Sequence, residues 1–285
     1  MTEYETRAET LIQALPYIQA FSGKTVVVKY GGAAMTDEAL KREVMRDLVL
    51  MRAVGIRPVL VHGGGPEVDK LMRRVGKEPE KVHGMRVTDS DTMDLVEMVL
   101  SGSVNKALVA GVQLAGGRAV GLSGKDGGLF LAQPLPVEGV DLGFVGQIIE
   151  VRPELLSTLT DSGYIPVLCS IAVDREGQGY NVNADLAAGA VAGALQAEKL
   201  IILTDVEGVL SRYPDPASLL SQMSPSEAGD LLSGGTVEKG MIPKVQACLT
   251  ALEGGAHSAH IIDGRRRHSL LIEVFTDAGI GTMIS

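Results

Sequence analysis

The chain has 285 residues, 45% hydrophobic and 21% charged, with a formal net charge of −9. That size permits one large α/β domain or two lobes around a full core, and the composition excludes a disordered chain. The negative surplus opposes nonspecific nucleic-acid binding, so a polyanionic small ligand has to be met by locally placed cations.

Cys169 and Cys248 lie far apart in apolar segments and show no metal-ligand spacing, so both read as reduced core residues. The first residues are polar and mixed in charge, without a signal-type apolar region, and no run approaches the roughly 18 apolar residues of a membrane span. A cytoplasmic location with no membrane partner is expected.

In chain order, residues 1–22 read as a helix carrying Leu11, Leu15, Ile18 and Phe21 along one stripe, with Pro16 expected to kink or divide it. The stripe is either a strap on its own subunit or a contact for another; spacing leaves both open. Thr25 opens a β-branched strand that carries Lys29 and runs into Gly31 and Gly32. Thr36 is expected to cap the next helix, which has Asp37 and Glu38 in its first turn, buries Leu40, Val44, Leu48 and Met51, and ends at Gly55. The run Val59-Leu60-Val61-His62-Gly63-Gly64-Gly65-Pro66 then predicts strand, tight loop and helix start, the helix covering 66–75 with Val68, Leu71, Met72 and Val75 on one face. Bare glycine amides at a helix N-terminus outline an anion site; the plainer alternative is a tight βα turn. Two such units in succession place both glycine loops at the carboxyl ends of neighbouring parallel strands.

A short polar stretch through Val82, His83 and Arg86 precedes a helical pattern over 89–114, expected to break at Gly102. Residues 119–124 read as a strand, 127–151 as antiparallel hairpins, 154–162 as a helix and 165–171 as a strand. An alanine-rich helix over 184–196, whose small residues suggest tight packing, is followed by an apolar strand over 200–204 ending in Asp205. Ser224-Pro225-Ser226-Glu227 forms a capping box, and a helix over 242–252, a strand over 260–262 and a last helix and strand finish the chain. This alternation predicts an α/β fold: a three-layer α-β-α sandwich with a mainly parallel central sheet.

Several chemistries are excluded by missing motifs. Gly23-Lys24-Thr25 imitates the end of a Walker loop, but Ile18 stands where its first glycine belongs and the triplet precedes its strand. No dinucleotide fingerprint, serine elbow, zinc-histidine pair or protein-kinase loop occurs. What remains is two glycine loops, the cations Lys29, Arg86 and Lys244, and Asp185 at a helix start. Such a set suits phosphoryl transfer to a carboxylate, which is already an anion at neutral pH and needs no general base. Taken singly, each lysine is more often a solvated surface charge.

Six ordered motifs carry a family resemblance: Val-Val-Lys29-Tyr-Gly31-Gly32, His62-Gly63-Gly64-Gly65-Pro66, Gly84-Met85-Arg86-Val87-Thr88, Asn181-Val-Asn183-Ala-Asp185, Leu203-Thr204-Asp205-Val206-Glu207-Gly208-Val209 and Gly240-Met241-Ile242-Pro243-Lys244. Together they resemble the N-acetyl-L-glutamate kinases of the amino-acid kinase superfamily. The resemblance implies ATP-dependent phosphorylation of the γ-carboxylate of N-acetyl-L-glutamate in arginine biosynthesis. It implies that Lys29 and Lys244 stabilise the transferring phosphoryl group and that Asp185 holds both lysines. Gly31, Gly32 and Gly63 would form the phosphate loop, and Gly64, Gly65, Arg86 and Asn181 would bind the acceptor, with Asn183 structural. ATP would lie on Asp205, Val206, Glu207, Gly208, Val209, Leu210, Thr236, Val237 and Glu238, bringing Mg²⁺ with it to a protein that holds no metal of its own.

The same resemblance implies an acceptor-binding lobe over 23–195, a nucleotide lobe over 196–285 and an oligomerising, regulatory helix over 1–22. Residues 14–24 are similar to the N-terminal helix of the arginine-inhibited class, in which three dimers join as a hexamer. Arginine would then meet Tyr17, His260, Glu273 and Gly279, and a PII-type signalling protein is a further partner of some relatives. The alternatives are a non-catalytic arginine or nitrogen sensor on this fold, or another amino-acid kinase acting on a carboxylate or carbamate.

Overall fold

The computed structural model describes residues 2–35, 37–82, 84–235 and 238–285. Helix α1 (Glu3–Phe21) opens the chain, with Thr2 and Glu5 capping it reciprocally. It runs past Pro16 without dividing and buries no residue; Leu11 is 71% exposed. Strand β1 (Thr25–Tyr30), helix α2 (Glu38–Ala53), strand β2 (Arg57–His62) and helix α3 (Gly65–Arg74) follow. β1 and β2 pair in parallel as far as Tyr30 opposite His62, so Gly31 and Gly63 emerge side by side at one edge of the sheet. Both strands are buried on both faces, which is why they read as unbroken apolar runs.

Three details of this region depart from the sequence reading. Asp37, not Thr36, caps α2: its carboxylate accepts from Ala39 N at 2.7 Å and Leu40 N at 3.0 Å, while Thr36 itself lies outside the described residues. Leu40 is only half-buried, and Met45, which is not among the expected core residues, is buried. Val75 is 57% exposed because α3 ends at Arg74 and turns away before Val75 can reach the core face.

Two short strands, β3 (Lys81–Val82) and β4 (Met85–Arg86), form a hairpin turned by Gly84 at φ +80°. Then α4 (Ser90–Glu97) continues through a π-helical segment, Met98–Val104, into α5 (Asn105–Leu114). Gly102 does not break this helix. A glycine costs about 1 kcal/mol against alanine, and the packing of Met93, Leu100, Val104, Leu108 and Val112 outweighs it. By length and composition the 25-residue helix could cross a membrane, but those residues face the core.

β5 (Ala119–Ser123), the antiparallel β6 (Phe130–Pro134) and β7 (Gly146–Val151), α6 (Glu154–Asp161) and β8 (Ile165–Cys169) come next. The strand expected over 165–171 divides at Ser170: β8 joins the main sheet, whereas β9 (Ile171–Val173) joins β10 (Gly179–Asn181) in a second sheet ordered β10-β9-β6-β7. The remaining elements are α7 (Ala184–Ala194), β11 (Lys199–Thr204), β12 (Gln222–Met223), α8 (Pro225–Ser233), α9 (Ile242–Glu253), β13 (Ser258–Asp263), α10 (Ser269–Phe275) and β14 (Gly281–Ile284). The main sheet runs β12-β14-β13-β11-β1-β2-β8-β5, and only β14 and β12 oppose the direction of the other six. Val27, Val59 and Ile202 face one core and Val28, Leu60 and Ile201 the other, so the sheet is covered on both sides.

The alanine-rich α7 does pack tightly, and its neighbour is α9. A Cβ on Gly189 would stand 2.4 Å from the Ala247 carbonyl oxygen, so only glycine permits this approach. The contact brings the first turns of α7 and α9 together.

Candidate active site

Lys29 leaves the end of β1, Asp185 sits in the first turn of α7, and Lys244 sits in the first turn of α9. At least 59 positions separate any two of them in sequence, yet they meet. Lys29 Nζ lies 2.8 Å from Asp185 Oδ1 as an ion pair without hydrogen-bond alignment, and Lys244 Nζ lies 3.3 Å from Oδ2 and 3.2 Å from the Gly240 carbonyl oxygen. Lys29 and Asp185 are 7% and 5% exposed. Burial alone would push the Asp185 carboxyl up; the charges of Lys29 and Lys244 outweigh it and hold the group below its ordinary range. One carboxylate between two ammoniums leaves a net single positive charge in a nearly dry place. A Cβ on Gly31 would stand 2.7 Å from Lys29 Nζ, so a side chain there would displace the ammonium. Asn183 caps α7 by accepting from Asp185 N at 2.8 Å, which fits the structural role expected of it.

On one side of this trio lie the glycine loops. Gly63 faces Ala184 at the start of α7, with a Cβ there 3.7 Å from that of Ala184, and Gly64 is pressed against Leu100 and Val104 of the long helix. His62, absent from the predicted site, props the loop from below: Nδ1 lies 2.8 Å from the Gly63 carbonyl oxygen and Nε2 3.1 Å from Asn105 Nδ2. Its burial pushes the imidazole pKa down to about 4, so it stands neutral. Arg86, 8% exposed, donates from Nη2 to the Gly65 carbonyl oxygen at 3.0 Å and from Nη1 to the Asp69 carboxylate. Thr88 links it to Asn181, donating to the Arg86 carbonyl oxygen at 2.7 Å and accepting from Asn181 Nδ2 at 3.3 Å. Gly63, Gly64, Gly65, Arg86 and Asn181 are thus connected through named contacts.

On the other side is a cavity of about 330 Å³. The predicted run from Asp205 to Leu210 and Glu238 line it, joined by Tyr213, Pro216, Met241 and Arg265, which the sequence reading missed; Thr236 and Val237 lie outside the described residues. Met241 is the N-cap of α9, one turn before Lys244, so the cavity adjoins the paired lysines. Buried Thr282 fixes its wall by accepting from Val209 N at 2.8 Å and donating to the Leu220 carbonyl oxygen at 2.6 Å. A larger hollow of about 400 Å³ lies against β12 and α8, but its lining offers Glu227 and Asp230 and no cation, which is unsuited to a triphosphate.

His260 Nδ1 lies 2.8 Å and Lys199 Nζ 3.1 Å from Glu273 Oε1. Lys199 also stands over the Phe21 ring at 5.4 Å, and Tyr17 hydrogen-bonds Asp277. The end of α1 therefore rests beside the group around Glu273; Gly279 has open space where a Cβ would stand. Among the described residues, no three His, Cys, Asp or Glu side chains converge to hold a metal ion.

A net-positive lysine pair, one member buried and the other partly so, between a glycine-loop pocket and a nucleotide-sized cavity defines a phosphotransferase. Residues 24–263 match the amino acid kinase family. Acetylglutamate kinase of Trichormus variabilis is 55% identical over 279 residues, 98% of this chain and 93% of that one. N-acetylglutamate synthase of Neisseria gonorrhoeae, solved with coenzyme A and N-acetyl-glutamate, superposes with a TM-score of 0.85 at 29% identity. This chain covers 98% of itself in that match but 63% of the synthase's length. A second structure of the synthase, with coenzyme A and L-arginine, gives a TM-score of 0.80 at 28% identity, covering 98% of this chain and 65% of that one. The chain belongs to the amino acid kinase family, and within it to the acetylglutamate kinases.

Proposed function

We propose that this enzyme transfers the γ-phosphoryl group of ATP to the γ-carboxylate of N-acetyl-L-glutamate, giving N-acetyl-L-glutamyl 5-phosphate for arginine biosynthesis. The observation that carries the reading is the Lys29–Asp185–Lys244 arrangement. Two anions must approach in line, and the barrier to that is mutual repulsion and orientation rather than proton removal. Lys29 and Lys244 screen the oxygens that gain charge, while Asp185 fixes where both ammoniums stand. Gly64 and Gly65 present backbone to the acceptor, Arg86 pairs with its α-carboxylate, and Asn181 completes that pocket. The nucleoside occupies the cavity at 205–210, so its phosphates point past Met241 towards Lys244. Both Asp185 oxygens face lysines, so Mg²⁺ would be held by the nucleotide's phosphates and water, where it neutralises phosphate charge. On this reading the acceptor lobe spans 23–195 and the nucleotide lobe 196–285.

Arginine, as end product, would bind where α1 meets His260 and Glu273, biasing a hexameric ring towards a state that separates the substrates. That requires tighter binding to the separated state, since equal affinity shifts nothing. Incubation with ATP, Mg²⁺ and N-acetylglutamate in hydroxylamine tests the catalytic reading. Acceptor-dependent hydroxamate is expected; none with N-acetylglutamate, against turnover with carbamate or a free amino acid, would reassign the substrate, and no turnover at all would favour a sensor.

A further inference from the structure

Arg86 has five N–H donors, and the described residues use three of them. Nη1 donates to Asp69 and, at 3.3 Å, to Met72 Sδ; Nη2 donates once, to the Gly65 carbonyl oxygen at 3.0 Å. The Nε–H and the second Nη2 hydrogen make no hydrogen bond to a described residue, and these two nitrogens share one edge of the planar group. An edge of that kind takes a carboxylate side-on.

Asp69 is placed to hold this orientation. It sits on α3, four residues after Gly65, with its side chain 14% exposed. Its other oxygen, Oδ2, accepts from Lys81 Nζ at 2.9 Å. Lys81 and Arg86 are cross-strand partners in the β3–β4 hairpin, so one carboxylate pins both strands to the helix that starts at the glycine loop. Burial would raise the Asp69 carboxyl, but Lys81 and Arg86 hold it below its usual range. Charge balance matters as well. A carboxylate on Arg86 alone would cancel its attraction for an anion, whereas Lys81 on the second oxygen leaves the trio with one net positive charge.

We propose that Asp69 is a positioning residue for acceptor binding: it turns the Arg86 guanidinium so that its Nε/Nη2 edge meets the acceptor's carboxylate, with Lys81 offsetting its charge. This rests on the assignment of Arg86 to the acceptor, and the test separates the two.

Steady-state kinetics of Asp69→Ala, Asp69→Asn, Arg86→Ala and the Asp69→Ala/Arg86→Ala double variant are compared, with thermal melts confirming a folded protein. Losing a charge-assisted hold on Arg86 is expected to raise the KM for N-acetylglutamate roughly tenfold or more. The KM for ATP and kcat are expected to stay within about threefold. Asp69→Asn keeps an acceptor oxygen in place without its charge and is expected to fall between wild type and Asp69→Ala, and it stands in if Asp69→Ala does not fold. The double variant is expected to be no worse than Arg86→Ala, because the two residues act through one guanidinium. If Arg86→Ala raises the acceptor KM and neither Asp69 variant does, or if they raise both KM values equally, the proposal is overturned while Arg86 keeps its role. If Arg86→Ala leaves the acceptor KM unchanged, both assignments fall.

Discussion

Replacing Lys244 by alanine probes the phosphoryl site most directly, because the geometry separates its effect on folding from its effect on rate. Lys244 is 16% exposed at its side chain and lies 3.3 Å from Asp185, whose other oxygen stays 2.8 Å from Lys29. After substitution the buried carboxylate still has a cation, so the fold loses one hydrogen bond to a charged group, roughly 1.5–3 kcal/mol, together with the weaker one to the Gly240 carbonyl oxygen. The transition state loses more in proportion. Lys29, Lys244 and Asp185 sum to one positive charge, and the substitution removes all of it at the point where phosphoryl oxygens collect negative charge. Removing one preorganised donor from such a site costs about 2.7–4 kcal/mol, or 10²–10³ in kcat. Hydroxamate trapping at saturating ATP and N-acetylglutamate is therefore expected to show kcat down by at least about 10²-fold, with a smaller change in either KM. Asp185→Asn differs in kind: it leaves two ammoniums and no counter-charge, and is expected to lose about 3–5 kcal/mol of stability as well as activity. A Lys244→Ala protein whose kcat stays within about threefold of wild type would refute the placement of transition-state charge at this lysine.

Arg86→Lys keeps the charge but cannot offer a planar, two-point edge, so the KM for N-acetylglutamate is expected to rise well above any change in the KM for ATP, within the 2–5 kcal/mol range of about one broken buried charge pair. Equal effects on the two substrates would make Arg86 structural. Burial holds the folded pKa of His62 at about 4, below its unfolded value near 6.5, so the unfolded chain binds the proton first. The stability this group contributes is present above about pH 6.5 and lost as the pH falls through about 4, a span worth on the order of 3 kcal/mol. His62→Gln is expected to flatten that acid limb in thermal melts; an unchanged slope would assign it to other groups. Deleting residues 1–20 removes the exposed Leu11, Ile12 and Leu15 face, and is expected to yield an active dimer that arginine hardly inhibits. A truncated protein that remains hexameric by light scattering and keeps its arginine sensitivity would defeat the regulatory reading.

The sequence alone carried the alternation of strands and helices, the two glycine loops at adjacent strand ends and the capping box at Ser224, because these depend on residues within a few positions of one another. Motif order made the paired lysines and Asp185 legible through a family resemblance, and the structure brings them together. Local patterning misjudged several features, among them the helix that passes through Gly102, Val75, which faces solvent, and the strand over 165–171, which splits between two sheets. At Gly102 long-range packing overrode a local preference worth about 1 kcal/mol, at Val75 the helix ended one residue early, and at Ser170 the chain passed from the main sheet to the second one. Nothing local could reveal that Asp69 holds Arg86, seventeen residues away, or that Asn105 supports His62 from forty-three residues on. Those contacts exist because a helix and a hairpin, or a helix and a strand end, converge after folding. Hydrogen-bond partners of buried polar groups follow from that convergence and leave no period in the chain.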